Sequence, residues 1–172
     1  MNWLMIVLRI IHIFSGIFWV GVSFFNIGFL QPTVQATGDG GQSVMRHLTS
    51  QTRFTSTMYT VATLSLLSGW IMYWNLFQFR LAALSSGYGL LLTIGGIAGT
   101  VAWFFALVLI RRVLSDMTAV GGAISAQGAP PTLEQGAQLQ ALSQRMVALG
   151  QWGVALMTIA VLGMSVARYV RL

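Results

Sequence analysis

The 172-residue chain contains no cysteine and no lysine, and only three of its residues are acidic. Without cysteine, neither a disulfide framework nor a thiolate metal site can form. The three acids, Asp39, Asp116 and Glu134, fall in predicted loops or polar helix ends. Proton relays and ion paths through a membrane need ionisable groups inside the spans. We therefore expect neither a carboxylate-based pump nor a paired-acid enzyme, and we predict no catalytic residue.

Charge is scarce throughout: 7% of the residues are charged and 56% are hydrophobic, with a mean hydropathy of +0.76. A soluble domain carries about 25% charged residues, so lipid must cover part of this surface. Four spans of about 20 to 25 residues fit the length, and residues 1–172 are predicted to form a single transmembrane domain. Arg9 and His12 interrupt the first apolar run, which a cleaved signal peptide does not allow. We expect a multi-pass protein of the cell membrane.

The formal net charge of +6 comes from nine basic residues, all of them arginine. They occur singly or, at Arg111 and Arg112, as one pair, without a basic stripe facing water. Nucleic-acid binding requires such a stripe, and we expect no nucleic-acid partner. Arginines at helix ends anchor to lipid headgroups, so the expected partner is the lipid bilayer.

The predicted fold class is all-α, an integral membrane four-helix bundle. Pro32 should end the first helix, because its ring cannot continue one. Ser43 or a neighbour can cap the second helix, and Ser85-Ser86-Gly87 begins the third. Thr132 with Gln135 is typical of a capping box for the fourth. The predicted helices are approximately 3–30, 42–77, 87–122 and 133–170.

Polar residues at the start of helices two and four and at the end of helix three fall on one side of the membrane. Helices of about 36 to 39 residues are longer than the hydrocarbon core of about 30 Å. We therefore predict that helices two to four extend beyond the bilayer on the side opposite the N-terminus. The arginines divide four against five between the two sides, which leaves the orientation undecided. On the N-terminal side we expect an aromatic belt, formed by Trp3, Tyr73, Trp74, Tyr88 and Tyr169.

His12 is the one ionisable side chain deep in a predicted span apart from Arg9, and such residues are candidate functional sites. Arg9, His12, Gly16 and Trp19 share one helix face. A glycine four residues after a histidine leaves a hollow where a haem can lie, with His12 as its metal ligand. The alternative interpretation is that His12 bonds to a neighbouring helix and Gly16 only permits close packing.

Four arginines belong to the same side of the membrane as His12 and are candidates to pair with haem propionates: Arg9, Arg80, Arg168 and Arg171. We assign Arg9 and Arg168 to the cofactor site. His47 lies roughly 20 Å from His12 along the membrane normal and is not expected to be the second ligand. Met72 and Met164 are at suitable depths to offer a thioether.

Gly95 and Gly99 form a GxxxG motif in the third helix and are candidate helix-packing residues. Small residues at this spacing let two helices approach closely. From the sequence, the contact is either within the bundle or with another subunit.

The pattern Arg9-Ile-Ile-His12, Trp19 and Gly21 resembles the first helix of a group of small bacterial membrane proteins. The group comprises the copper-resistance D-type proteins and the HemJ-type protoporphyrinogen oxidases. The likeness spans about residues 9–75, through Pro32, Met45-Arg46-His47-Leu48 and Gly69. The resemblance implies a four-helix bundle of the bacterial plasma membrane with His12 as a haem b ligand. The HemJ-type enzymes also carry a lysine and a further histidine in the third helix, and this chain has neither.

Two functions are predicted from these observations. The first is haem b binding through the intramembrane histidine, for electron transfer or haem handling. The alternative is a non-catalytic accessory or structural subunit of a larger membrane complex, respiratory or photosynthetic, whose partners are other membrane subunits or further copies of the chain. An enzyme is not expected, because acids and lysine are missing from the spans. A transporter fits less well, since there is no inverted repeat.

Overall fold

A computed structural model describes residues 3–170, and all regular structure within that range is helical. It contains five helices, which we number in chain order. Arg171, one of the predicted propionate partners, lies outside the described residues. The helices are α1 (Trp3–Ala36), α2 (Asp39–Ser50), α3 (Phe54–Phe77), α4 (Gly87–Gln127) and α5 (Leu133–Tyr169).

The first helix continues through Pro32 to Ala36, so the predicted stop before the proline is wrong. The segment Asn26–Leu30 immediately before it is a π-helix, closed by the bond from the Gln31 N–H to the Asn26 carbonyl. A π turn is wider than an α turn and often accommodates a local irregularity within a helix. Pro32 has no backbone N–H to donate, but α1 continues past it because the π segment accommodates the missing hydrogen bond.

The helix predicted over 42–77 is two helices, α2 and α3, separated at residues 51–53. The Thr52 hydroxyl accepts from the Phe54 N–H at 3.1 Å and donates to the Leu48 carbonyl. Side-chain bonds of this kind compete with the backbone ladder of a helix. The Ser43 cap is also wrong, because α2 begins earlier, after Gly38 with φ +56° and without a side-chain cap.

The starts of α4 and α5 are confirmed. The Ser86 hydroxyl accepts from the Gly89 N–H at 3.2 Å. Thr132 and Gln135 form both bonds of the capping box, at 3.2 and 2.9 Å. The α4 helix extends five residues further than predicted, to Gln127, and contains a second π segment, Phe105–Ile110.

The long helices pack side by side: α1 against α3, α3 against α4, and α4 against α5. A small core is formed where they meet, by Trp19, Ala62, Ala102 and Met157. Between α3 and α4, three side-chain hydrogen bonds join an aromatic residue to a threonine: Trp70–Thr100 at 2.9 Å, Tyr73–Thr93 at 2.6 Å and Trp103–Thr63 at 3.1 Å.

Three helices, α1, α4 and α5, are long and apolar enough to cross a membrane. Their large apolar side chains face outward: Phe14, for example, is 73% exposed, and Leu162 is 58% exposed. A water-soluble surface rarely carries apolar patches on this scale, whereas lipid favours them. The α3 helix is less apolar because it carries hydroxyls, and two of these, Ser65 and Ser68, are buried.

Candidate functional site

His12 lies where α1 crosses α3, and Gly69 of α3 makes room for its imidazole ring. A Cβ at position 69 would meet His12 Cε1 at 2.8 Å and Nδ1 at 3.0 Å. Such a contact is too short for any side chain, so glycine is required with the ring in this position. The sequence singled out Gly69 only through the family resemblance, and not for this role.

The backbone of α3 orients the His12 ring. His12 Nδ1 lies 2.8 Å from the Ser65 carbonyl oxygen. Because a carbonyl oxygen only accepts, Nδ1 carries the hydrogen, and in the neutral form of the ring Nε2 keeps its lone pair. Within residues 3–170, Nε2 has no hydrogen-bond partner.

Gly16 lies against Ser65, whose hydroxyl oxygen is 3.3 Å from the position that a Cβ would take. The predicted hollow beside the imidazole is therefore partly filled by α3. Gly16 lets the two helices approach closely, as the alternative interpretation proposed, while it also lines the cavity described next. Close packing and access to a ligand thus coexist at this residue.

A cavity of about 790 Å³ lies among α1, α3, α4 and α5, and most of its wall is carbon. Four predicted site residues line it: Arg9, His12, Gly16 and Trp19. The same face of α1 brings them together, as helical spacing predicts. Met72 and Met164 also line the cavity, from α3 and α5.

The two arginines assigned to the site differ in position. Arg9 is exposed and lines the cavity, whereas Arg168 does not line it. The Arg168 guanidinium instead lies over the Tyr169 ring, with Cζ 4.9 Å from the ring centroid. Arg80 is also not among the lining residues. Of the predicted propionate partners within the described range, only Arg9 lines the cavity.

In residues 3–170, no group of three or more His, Cys, Asp or Glu side chains comes together that could hold a metal ion. His47 is exposed on α2 and is not among the residues that line the cavity. His12 is therefore the one histidine among the residues that line the cavity.

Gly95 and Gly99 face α5 of the same chain. A Cβ at Gly95 would lie 3.2 Å from the Ala160 carbonyl oxygen, and one at Gly99 would lie 3.9 Å from the Ala160 Cβ. On the other side, a Cβ at Gly163 would meet the Leu91 carbonyl oxygen at 3.1 Å. The GxxxG motif therefore serves the contact between α4 and α5.

The paired aromatic and threonine residues of α3 and α4 were missed in the sequence. Trp70 and Tyr73, which take part in two of the three bonds, also line the cavity. The spacing i, i+7, i+10 occurs twice, at Thr63, Trp70 and Tyr73 and again at Thr93, Thr100 and Trp103. Residues at this spacing lie on one face of a helix, because it is close to a repeat of about 3.5 residues. The same spacing in both helices is therefore the sequence signal for two faces that match when the helices are antiparallel.

In comparisons with known proteins, no family model, curated protein or solved structure matches this chain. The family resemblance of residues 9–75 therefore stays a prediction. What the site can do has to be judged from its own geometry: an oriented imidazole in a largely apolar cavity, with one arginine beside it.

Proposed function

We propose that the chain is a multi-pass protein of the bacterial plasma membrane, with α1, α3, α4 and α5 as its four membrane-spanning helices, and that it binds haem b through His12. At 24 residues, α3 is about 36 Å long, enough to cross a hydrocarbon core of about 30 Å beside the three more apolar helices. Three of its hydroxyl side chains lie against other helices, since Ser65 and Ser68 are buried and Thr63 accepts from Trp103 of α4. This reduces the cost of placing α3 in lipid. The polar parts of α2, α4 and α5 then extend beyond the bilayer.

The hydrogen bond between His12 Nδ1 and the Ser65 carbonyl carries the proposal. Histidines that bind a metal commonly donate their other ring nitrogen to a backbone carbonyl, which fixes the ring and its tautomer. His12 has this arrangement, and its Nε2 would be the atom that holds the haem iron.

The cavity suits a haem in size and chemistry. Its volume of about 790 Å³ lies within the range of about 300–1,000 Å³ for ligand pockets. Trp70 and Tyr73 offer flat aromatic surfaces, and Arg9 offers a guanidinium for a propionate. Met72 and Met164 also line the cavity and would offer thioethers to the haem. A bound haem supplies one-electron chemistry, which suits electron transfer or haem handling.

Haem titration of the purified protein in detergent tests the proposal. We expect a Soret band that shifts on binding in the wild type and in His47→Ala, and no such shift in His12→Ala or His12→Gln. The glutamine variant keeps a polar side chain of similar length, so its loss of binding would not be due to an empty space between α1 and α3. A wild-type protein that produces no Soret shift with excess haem would refute haem binding.

One observation favours the alternative, an accessory subunit. The C-terminal end of α4 and the N-terminal end of α5 form an exposed hairpin. Two side-chain hydrogen bonds between Gln127 and Gln135, at 3.1 and 3.2 Å, hold its tip. Leu133 at this tip is 96% exposed. An ordered, exposed hairpin is a suitable contact surface for another subunit. Native mass spectrometry after mild extraction tests this, and a chain that always runs as a monomer would count against it.

A further inference from the structure

One edge of α1 both lines the cavity and faces outward. Ile6, Ile13 and Ile17 are 38%, 47% and 68% exposed, and each of them lines the cavity. With Arg9 they follow a spacing of three, four and four residues, which places them in one stripe along the helix. This stripe is therefore a rim of the cavity.

The opposite rim belongs to α5. Val161 is 44% exposed and lines the cavity. Ser165, one turn further along α5, is also exposed and also lines the cavity. The close contacts between α1 and α5 are much fewer than those between α1 and α3 or between α4 and α5. The cavity thus has an opening on the side where α1 and α5 are adjacent.

We propose that the haem of this cavity enters and leaves sideways, from the bilayer, between α1 and α5. This inference rests on the proposed function, because it takes the cavity as the haem site and the four helices as spans. The rim residues Ile13, Ile17 and Val161 are apolar and belong to α1 and α5, two of the helices that are long and apolar enough to cross a membrane. The ligand class is accordingly a flat, apolar molecule dissolved in the membrane.

Physical chemistry favours this route over one from water. A largely apolar cavity gains little from filling with water, whereas its apolar rim is continuous with lipid chains. Haem itself partitions into lipid through its apolar ring. A sideways opening would let the apolar ring enter from the lipid chains, while its carboxylates stay near Arg9 and the headgroups.

Photolabelling of the protein in nanodiscs tests the opening without haem. A small apolar carbene precursor dissolved in the bilayer labels the side chains that it reaches, and peptide mass spectrometry locates them. We expect labelling of Leu92 and Met164, which line the cavity from α4 and α5 and are only partly exposed. Leu162 on the outer face is the positive control, and the fully buried Val113 is the negative control.

A matched pair of variants locates the opening. Val161→Trp places a bulky ring at the rim, whereas Leu162→Trp places the same ring on the outer face, away from the cavity. We expect Val161→Trp to lower the labelling of Leu92 several-fold and to slow haem uptake, and Leu162→Trp to do neither. Labelling of Leu92 and Met164 that is as weak as that of Val113 would overturn the sideways opening.

The outcomes for the two proposals are distinguishable. Strong labelling of Leu92 with no Soret shift on haem addition would refute haem binding and leave the opening established. A normal Soret shift with no labelling of Leu92 or Met164 would refute sideways entry and leave haem binding intact.

Discussion

In two helix pairs of this molecule, α1–α3 and α4–α5, the two helices approach each other closely at glycines. The pairs differ in which atoms lie against the glycine. Between α4 and α5, a Cβ at Gly163 would lie 3.1 Å from the Leu91 carbonyl oxygen and 3.6 Å from the Gly95 Cα. Backbone therefore meets backbone. Between α1 and α3, the space at Gly69 is filled by the ring of His12. The same residue type thus serves packing in one pair and holds a candidate ligand in the other.

The difference shows what a glycine in an apolar helix can mean. Small residues let membrane helices approach, and that is the usual reason for them. A glycine that faces a polar ring has a second role, because it sets the position of that ring. Substitutions at the two contacts should therefore separate stability from ligand binding.

Gly163→Val should have the largest effect on stability. Its side chain would collide with the backbone of α4, which has no flexible end that can move aside. Overpacking of this kind costs about 1–3 kcal/mol. Thermal unfolding in detergent should show a lower midpoint, while the folded fraction still binds haem. Gly121→Val is the control, because a Cβ there meets no atom within 4 Å. Equal midpoints for the two variants would contradict the close α4–α5 contact.

Gly69→Ala should have a smaller effect on stability but abolish haem binding. The new Cβ would force the His12 ring away from its position and break the bond to the Ser65 carbonyl. The loss of one hydrogen bond costs about 0.5–1.5 kcal/mol. Gly99→Ala is the matched control, since it lines the same cavity but its Cβ would meet only the Ala160 Cβ at 3.9 Å. A full Soret shift in Gly69→Ala would show that the ring orientation is not needed.

At the third contact, α3–α4, each hydrogen bond should contribute less to stability than the glycine contacts of the other two helix pairs. Trp103 donates to Thr63 at 3.1 Å, and neither residue lines the cavity. Hydrogen bonds between membrane helices average about 0.6 kcal/mol in double-mutant cycles. The cycle of Trp103→Phe and Thr63→Val should give a coupling energy of about that size, with haem affinity unchanged. A coupling of zero would mean that this bond does not stabilise the helix pair.

Local sequence signals predicted local structure well. Thr132, Gln135 and Ser86 act as caps because their bonds reach only three residues along the chain. The stop at Pro32 was wrong because a π turn accommodated the proline, and propensity alone does not predict a π turn. The break at residues 51–53 was missed because it depends on several threonine hydroxyls that bond to the backbone.

For the candidate site, helical periodicity correctly grouped Arg9, His12, Gly16 and Trp19 along one wall of the cavity. Arg168 does not line the cavity, and its pairing with a propionate stays a prediction. It lies in a 3₁₀ turn at Ala167–Tyr169, where side-chain directions differ from those in an α-helix. The role of Gly69 depends on how α1 crosses α3, and that is a tertiary property that no spacing in one helix reports.

The most direct test is whether a histidine nitrogen coordinates the haem iron. The chain has two histidines, so the protein can be labelled with ¹⁵N-histidine and its ferric haem complex studied by pulsed electron paramagnetic resonance. We predict a strongly coupled ¹⁵N nucleus that persists in His47→Ala and disappears in His12→Ala. A complex without a coupled histidine nitrogen, or one whose coupling survives in His12→Ala, would contradict the assignment of His12 as the haem ligand.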